Sequence, residues 1–468
     1  MRSLLCSTAI ATILVTCPAP ALAQSANSDE TEALRAEIRE LRARLEALES
    51  RIGTAPAANS QVAAAGSEAP AITASAAKAK DEKSAGAKIA WKGSPQISEG
   101  DKLFKVKGRL QADANNVSIP DSLGDRAGGF SNEMRRIRLG GEGSLGAGFS
   151  YKLELELSDN QVDLVDTFVS YKNGGWLVQL GNQNSFQSLD ELTGDTSGAF
   201  MERAAFTDAF NFERRLGVSV QYATGPLILQ GGAFTDDIGA LANSSDGVDG
   251  GDENNSYGLD GRVVYAPKIG DIQLHLGASG HWRRLGRLAL GSTRYRQRPY
   301  AHSINTRLIG TSSLNVDTES HYGVEVAVIK GRWWGAAEWH ALTADRIAVP
   351  SVTFQGAYAE LGYFLTDGDA RGYKNGIFAT NAPAHPMGDG GIGSIQVALR
   401  YDYLDLDDAD VRGGQQNGYI AALVWSPIQY LRFNVNYALL QYDGAVALPS
   451  GKRDYNAQVV GTRFELDF

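Results

Sequence analysis

Cysteine is almost missing from these 468 residues: Cys6 and Cys17 are the two present, both near the start. Residues 1–23 read as a secretory signal, with Arg2 as a basic start, an apolar run from Leu4 to Val15, and Ala21-Leu22-Ala23 before Gln24 as a small-residue cleavage site. A chain cut there holds no cysteine, which excludes a disulfide framework, a thiolate metal site and a cysteine nucleophile from the mature protein. Lipidation at Cys17 is the weaker alternative, because Thr16 precedes it and Pro18 follows. Long apolar runs are also lacking. After the signal, nothing approaches the ~18–20 consecutive apolar residues that a spanning helix needs. A membrane reading must then rest on strands closed into a barrel, since lipid offers no partner to an open sheet edge. The formal charge of −10 speaks against nucleic acid, whose phosphates call for a basic surface. The six histidines, His275, His281, His302, His321, His340 and His385, form neither HExxH nor a close pair, and no G-x-S-x-G elbow occurs. No enzyme, cofactor or metal site is expected.

What is plentiful is glycine (53) and tyrosine (18), with 21% charged residues, a composition that suits many strands and tight turns. The chain changes character three times. Leu34, Ile38, Leu41, Leu45, Leu48 and Ile52 keep a 4-3-4-3-4 spacing with Glu and Arg between, a heptad seam over 28–52. Ser28, Thr31 and Glu32 supply helix-start chemistry, and Gly53 a stop. The stripe is too narrow for a helix lying on a globular core, so a short self-associating coiled coil is expected. Residues 53–100 are rich in Ala, Ser, Lys and Gly without a period and read as a flexible tether.

From 101 to 468 the period becomes two. Phe149, Tyr151, Leu153, Leu155 and Leu157 alternate with Lys152, Glu154 and Glu156, and similar runs recur, among them Leu274–Ala278, Tyr322–Val328 and Leu431–Tyr437. Alternation alone also fits a soluble sandwich. Connection lengths decide: tight links such as Asn173–Gly175, Thr224–Pro226 and Lys330–Arg332 alternate with long ones at 184–213, 235–255 and 284–319. Short turns on one rim and long loops on the other mark an outer-membrane barrel. Alternating short and long links gives sixteen strands, provided that 284–319 is one external loop and 366–390 a long periplasmic link. Aromatic residues such as Tyr171, Trp176, Tyr222, Trp282, Trp333 and Trp425 sit near strand ends, where amphipathic rings suit the headgroup layer. The chain ends on an alternating strand with Phe464, Leu466 and Phe468 on one face. That ending resembles the signal read by barrel-assembly machinery.

Arginine is the candidate for chemistry. Arg203, Arg214 and Arg215 bracket the 184–213 loop, while Arg283, Arg284, Arg287, Arg294, Arg296 and Arg298 crowd in and beside the 284–319 loop. Lys105, Lys107 and Arg109 share one strand face and Arg136 and Arg138 another, both expected to look into the lumen. Guanidinium forks suit phosphate and carboxylate, and a line of them in a constriction would pass anions if no site holds too tightly. The bland alternative is charge pairing with lipopolysaccharide or acidic neighbours. Asp246, Asp249, Asp252 and Glu253, and Asp405, Asp407, Asp408 and Asp410, form acidic loops without the ordered ligand spacing of a calcium site. Gly141–Gly146 matches a dinucleotide fingerprint in form, but a strand follows it where the fingerprint needs a helix.

The stretches Leu177–Gln183, Phe200–Ala204, Asn211–Val218, Gly261–Pro267, Leu274–Ser279, Phe354–Tyr358 and Leu399–Leu406, taken in order, resemble the phosphate-selective porin O and P family over most of residues 100–468. The resemblance implies a trimeric, sixteen-stranded channel with its third loop in the lumen, some members using lysines and an arginine ladder for phosphate. Tyr300 stands where the family usually has an acidic residue after Arg-Pro, and Leu365–Asp369 departs from its Leu-Thr-Gly-Glu pattern. These departures touch the solute and leave the barrel alone. The expected protein is all-β: a 16-stranded antiparallel transmembrane β-barrel after a short N-terminal α-helical coiled coil in the periplasm. Its expected partners are outer-membrane lipid and lipopolysaccharide, the assembly machinery, two further copies of itself and small anionic solutes. A general porin and a structural envelope protein are the alternatives.

Overall fold

The computed structural model describes residues 86–120, 123, 128–238, 256–286 and 291–468. The signal at 1–23, the coiled coil at 28–52 and the tether as far as residue 85 lie outside the described residues. Inside the stretch read as tether, β1 (Lys88–Trp91) and β2 (Pro95–Glu99) form a hairpin, and β2 pairs onward with the next strand, Gln96 opposite Lys105. The alternation of Ile89, Trp91, Ile97 with polar neighbours is short, which is why composition hid it.

The strands that follow are β3 (Lys102–Ser118), β4 (Gly129–Gly146), β5 (Phe149–Glu156), β6 (Asp163–Asn173), β7 (Trp176–Asn184), β8 (Arg214–Thr224), β9 (Leu227–Phe234) and β10 (Tyr257–Tyr265). Then come the two-residue β11 (Lys268–Ile269), β12 (Ile272–Arg284), the small pair β13 (Arg296–Gln297) and β14 (Ile309–Gly310), β15 (Val316–Lys330), β16 (Trp333–Arg346) and β17 (Val352–Phe364). A hairpin of β18 (Gly372–Lys374) and β19 (Ile377–Ala379) precedes β20 (Ser394–Asp408), β21 (Val411–Ile428), β22 (Leu431–Asp443) and β23 (Tyr455–Asp467). β11, β13, β14, β18 and β19 stand outside the wall. The other sixteen from β3 onward pair antiparallel in sequence, and β23 pairs back with β3, from Gln458 opposite Ser118 to Asp467 opposite Arg109. The sixteen-stranded wall therefore closes on itself without a free edge, the β1–β2 hairpin standing as an appendage on β3.

Polarity runs inside out. Leu399 is 64% exposed while its neighbour Arg400 is 5% exposed, and the same contrast repeats along the wall. Only an apolar surrounding makes that arrangement stable. Cross-strand ring pairs Phe149–Tyr171, Trp176–Tyr222, Trp333–Tyr363 and Trp425–Phe433, with centroids 4.5 to 5.3 Å apart, gird the short-turn rim.

Among the described residues, three connections fold into the barrel. The first, 185–213, is the expected inward loop. The second, 285–315, was expected to lie outside and does not. Its Tyr295, Leu308 and Ile309 are buried in one cluster with Phe354, Leu404 and Leu440 of the wall, and Ser303 bonds to Asn115 (2.8 Å) and Ser131 (2.6 Å) on the far side. Burying those apolar side chains is the reason it turns inward. The third, 365–393, joins β17 to β20 as one long link on the short-turn rim, as expected, and also sends β18–β19 into the lumen. There Arg371 lies over Trp334 and Phe378 (4.6 and 4.5 Å), Tyr373 bonds His275 (2.6 Å) and Arg262 donates to the Gly376 carbonyl (2.9 Å).

Candidate conduction pathway

The first inward loop is held by carboxylates and arginines of the wall. Ser188 caps the short helix Leu189–Leu192, its Oγ accepting from the Glu191 N–H (3.2 Å), and Glu338 takes the N–H groups of Leu189 (2.9 Å) and Asp190 (2.7 Å). Asp402 takes the Ala205 N–H (3.0 Å) at the start of the helix Ala205–Ala209. Arg400 joins Glu360 (2.7 Å) to Asp190 (3.0 Å) beneath the Phe200 ring. Arg432 donates to the carbonyls of Thr196 and Gly198, and Arg463 to that of Met201 while it forks onto Asp113 (2.7 Å to each oxygen). Phe206 stacks on His340, 4.5 Å between centroids. The loop is thereby fixed to the wall made by β16, β17, β20, β22 and β23.

Its other face meets β3–β8, and here the cations gather. Lys105, Lys107 and Arg109 project inward from β3, with Arg138 opposite Arg109 and Arg136 opposite Gln111 on β4. A bulge at this point inserts Arg135, so Arg135 and Arg136 both enter the lumen: Arg135 stands 3.7 Å from Glu202 and Arg136 3.2 Å from Asp195. Strict alternation would send one of that pair to the lipid, which is why the sequence reading named Arg136 alone. Lys152, also not singled out, bridges Glu154 (2.7 Å) and Asp166 (2.5 Å).

Asp195 is the meeting point. It opens the 3-10 turn Asp195–Ser197 and lies 3.4 Å from Arg109, 3.2 Å from Arg136 and 3.1 Å from Arg203. Burial alone would raise its pKa; Arg136, Arg203 and Arg109 outweigh that and hold the carboxyl well below its usual range. Two cavities flank this contact. One, of ≈ 230 Å³, is lined by Asp195 itself with Arg135, Arg136, Arg203, Arg298 and His302. The other, of ≈ 270 Å³, is lined by Thr196 and Ser197 with Lys105, Lys107, Arg432 and Asp467.

The remaining candidates scatter. Arg138 is paired with Glu154 (3.0 Å) and Glu156 (2.7 Å), and Arg214 with Asp166 (2.6 Å). Arg215 is buried 3.6 Å from Glu213, and Arg283 lies inside, 3.6 Å from Glu319. Arg284 is half exposed on the outer face, 3.5 Å from Asp317, and so is off any pathway; extending the outward run Leu274–Trp282 by one pair shows why. Arg287 lies outside the described residues. Arg294 bonds Ser313 (2.9 Å), Arg296 is exposed on β13, and of the residues after Arg283 in this group Arg298 reaches the first cavity. The cluster dense in sequence is thus dispersed in space. Asp405–Asp410 forms a tight hairpin end in which Asp407 and Asp408 accept backbone N–H groups and Asp410 pairs with Arg346, and among the described residues no metal-holding cluster occurs. Phe464 packs against Phe433 on the outer face, with Leu466 opposite Leu431.

Residues 104–468 match the profile of the family described as phosphate-selective porin O and P. A Caulobacter vibrioides protein, described as uncharacterized, is 58% identical over 460 residues, covering 96% of this chain and 93% of its own. Outer-membrane expressed OmpT of Vibrio cholerae has a similar structure at TM-score 0.50 and 9% identity, over 80% of this chain and 100% of that one. The high-pH structure of Pseudomonas putida OprB is similar at TM-score 0.50 and 10% identity, over 78% and 94%. These two likenesses concern the barrel fold.

Proposed function

Because this chain belongs to the phosphate-selective porin O and P family and is an outer-membrane porin, we propose that it passes small anionic solutes passively between the medium and the periplasm. The observation that supports this is the stripe of cations on one side of the lumen: Lys105, Lys107, Arg109, Arg138, Arg136 and Arg135 follow one another along β3 and β4. Their carboxylate partners stand mainly on β5 and on the inward loop. Glu142, opposite Lys105, is the acid within this stripe; the excess of cations around it gives an anion a track, and the field at the narrowest point outweighs the overall charge. The short-turn rim faces the periplasm in this reading, which puts Lys105 and Lys107 at the exit and the N-terminal coiled coil on the periplasmic side. Three copies assemble, with the heptads of 28–52 supporting the association.

One observation favours a general porin instead: Arg109, Arg136, Arg138, Arg203 and Arg214 all have acidic partners. Swelling of proteoliposomes separates the two. Faster swelling in an organic anion than in a cation of matching size supports the proposal; equal rates support the general porin.

A further inference from the structure

The outward face of the wall is not smooth. Across β17, β20, β21 and β22 it holds an apolar recess of ≈ 560 Å³, larger than either cavity of the pathway. Strand register makes it. In one outward row Ala359 stands beside Tyr401 and Tyr419, and in the next Ala421 stands between Leu399 and Tyr437, so that each alanine leaves a space its large neighbours wall in. Tyr401 and Tyr419 tilt against each other with centroids 5.4 Å apart. Their level is the outer end of the apolar belt, because the outward positions that follow turn polar: Asn417 on β21, Gln441 on β22 and Gln458 on β23. The tyrosine hydroxyls reach for that polar level. Tyr401 donates to Asn417 (2.6 Å) and Tyr437 to Gln458 (3.2 Å), each one row nearer the long-loop rim, which leaves the rings to line the recess.

We propose that this recess seats one acyl chain of lipopolysaccharide, whose acylated amino-sugar head lies against the carboxamides of Asn417, Gln441 and Gln458. The recess continues the lipid-facing belt, so a chain enters it from hydrocarbon without displacing water or stripping a charge. Lipid tails are as apolar as the wall, and a tail is therefore retained at one place by close packing and by hydrogen bonds at its head. Shape supplies the first and the carboxamide row the second, since amides pair with the amide and hydroxyl groups of such a head. The leaflet follows from the orientation given above, with the short turns in the periplasm: the polar row lies on the long-loop side, in the outer leaflet. The solute that the channel passes has no part in the inference.

The test is titration of the full-length channel in mild detergent with lipopolysaccharide and, separately, with phosphatidylethanolamine, the lipid bound per barrel being read by native mass measurement. Wild type is compared with Ala421→Trp, Ala359→Phe and Ala278→Phe. The first two fill the recess, while Ala278, exposed on the outer face of β12, carries the control ring. The lipopolysaccharide concentration for half occupancy should rise about tenfold in both recess variants, against less than about threefold in Ala278→Phe. Phosphatidylethanolamine should bind wild type about tenfold more weakly than lipopolysaccharide does. Recess variants that fold, as shown by heat-modifiable migration, and bind lipopolysaccharide no worse than Ala278→Phe overturn the site. Equal binding of phosphatidylethanolamine overturns the assignment to lipopolysaccharide. Recess variants that lose trimers and keep their lipid give the recess to a second copy and overturn the proposal as well. Ion selectivity enters none of these outcomes, so the inference and the proposed function fail separately.

Discussion

Gly108 and Phe468 close the barrel together. The Gly108 N–H donates to the Phe468 carbonyl (3.1 Å), the Phe468 N–H donates to the Gly108 carbonyl (3.0 Å), and the Phe468 ring occupies the space that a Cβ on Gly108 would need. The Phe468 ring, just past β23, thus lies against bare backbone within β3. Gly108→Leu should push the ring away at a cost of about 1–3 kcal/mol. The fraction of protein that migrates as the folded, heat-modifiable form in electrophoresis should drop.

Phe468→Asp should go further. It removes the ring and sets a charge on the lipid face, where acidic groups are unfavourable. If Phe468 is also the assembly signal, the variant should be depleted from the outer membrane and degraded in the periplasm. Surface labelling at wild-type level would contradict that role.

Arg463→Gln should unpin the inward loop. The side chain is shared among Asp113, Glu202 and the Met201 carbonyl, and breaking one side of such a buried pair costs on the order of 3–5 kcal/mol. Single-channel records should show a noisier open level, with the barrel still folded.

Shortening the third inward segment by excising β18–β19 should raise single-channel conductance. That hairpin fills lumen between His275, Arg262 and the tip of the first loop. An unchanged conductance would mean that the segment lies beside the ion's path.

Cross-linking of the full-length protein in mild detergent should trap trimers that dissociate on heating. Deleting 28–52 should leave an assembled barrel, since interstrand bonds close on themselves. Monomers alone would contradict the trimer.

The wall was legible because side-chain direction in a strand has a fixed period, so the outward runs at Tyr322–Val328 and Leu431–Tyr437 could be read directly. The lumen was not. Arg135 entered it through a bulge, which changes the period by one residue and leaves no mark in composition. Arg400, Arg432 and Arg463 stand at inward strand positions, yet their role as clamps depends on where a distant loop lies. The inward course of 285–315 had a signal, namely Tyr295, Leu308 and Ile309 in a segment read as external. Asp195 had none, because three arginines from β3, β4 and the loop meet it only in the closed barrel.

The most direct measurement is the zero-current potential of the wild-type channel in a potassium chloride gradient, repeated with Arg136 and Arg203 both replaced by Gln. The account predicts a wild-type potential of the sign for chloride preference, shifted toward potassium in the double variant. A wild-type potential of the sign for potassium preference would contradict it.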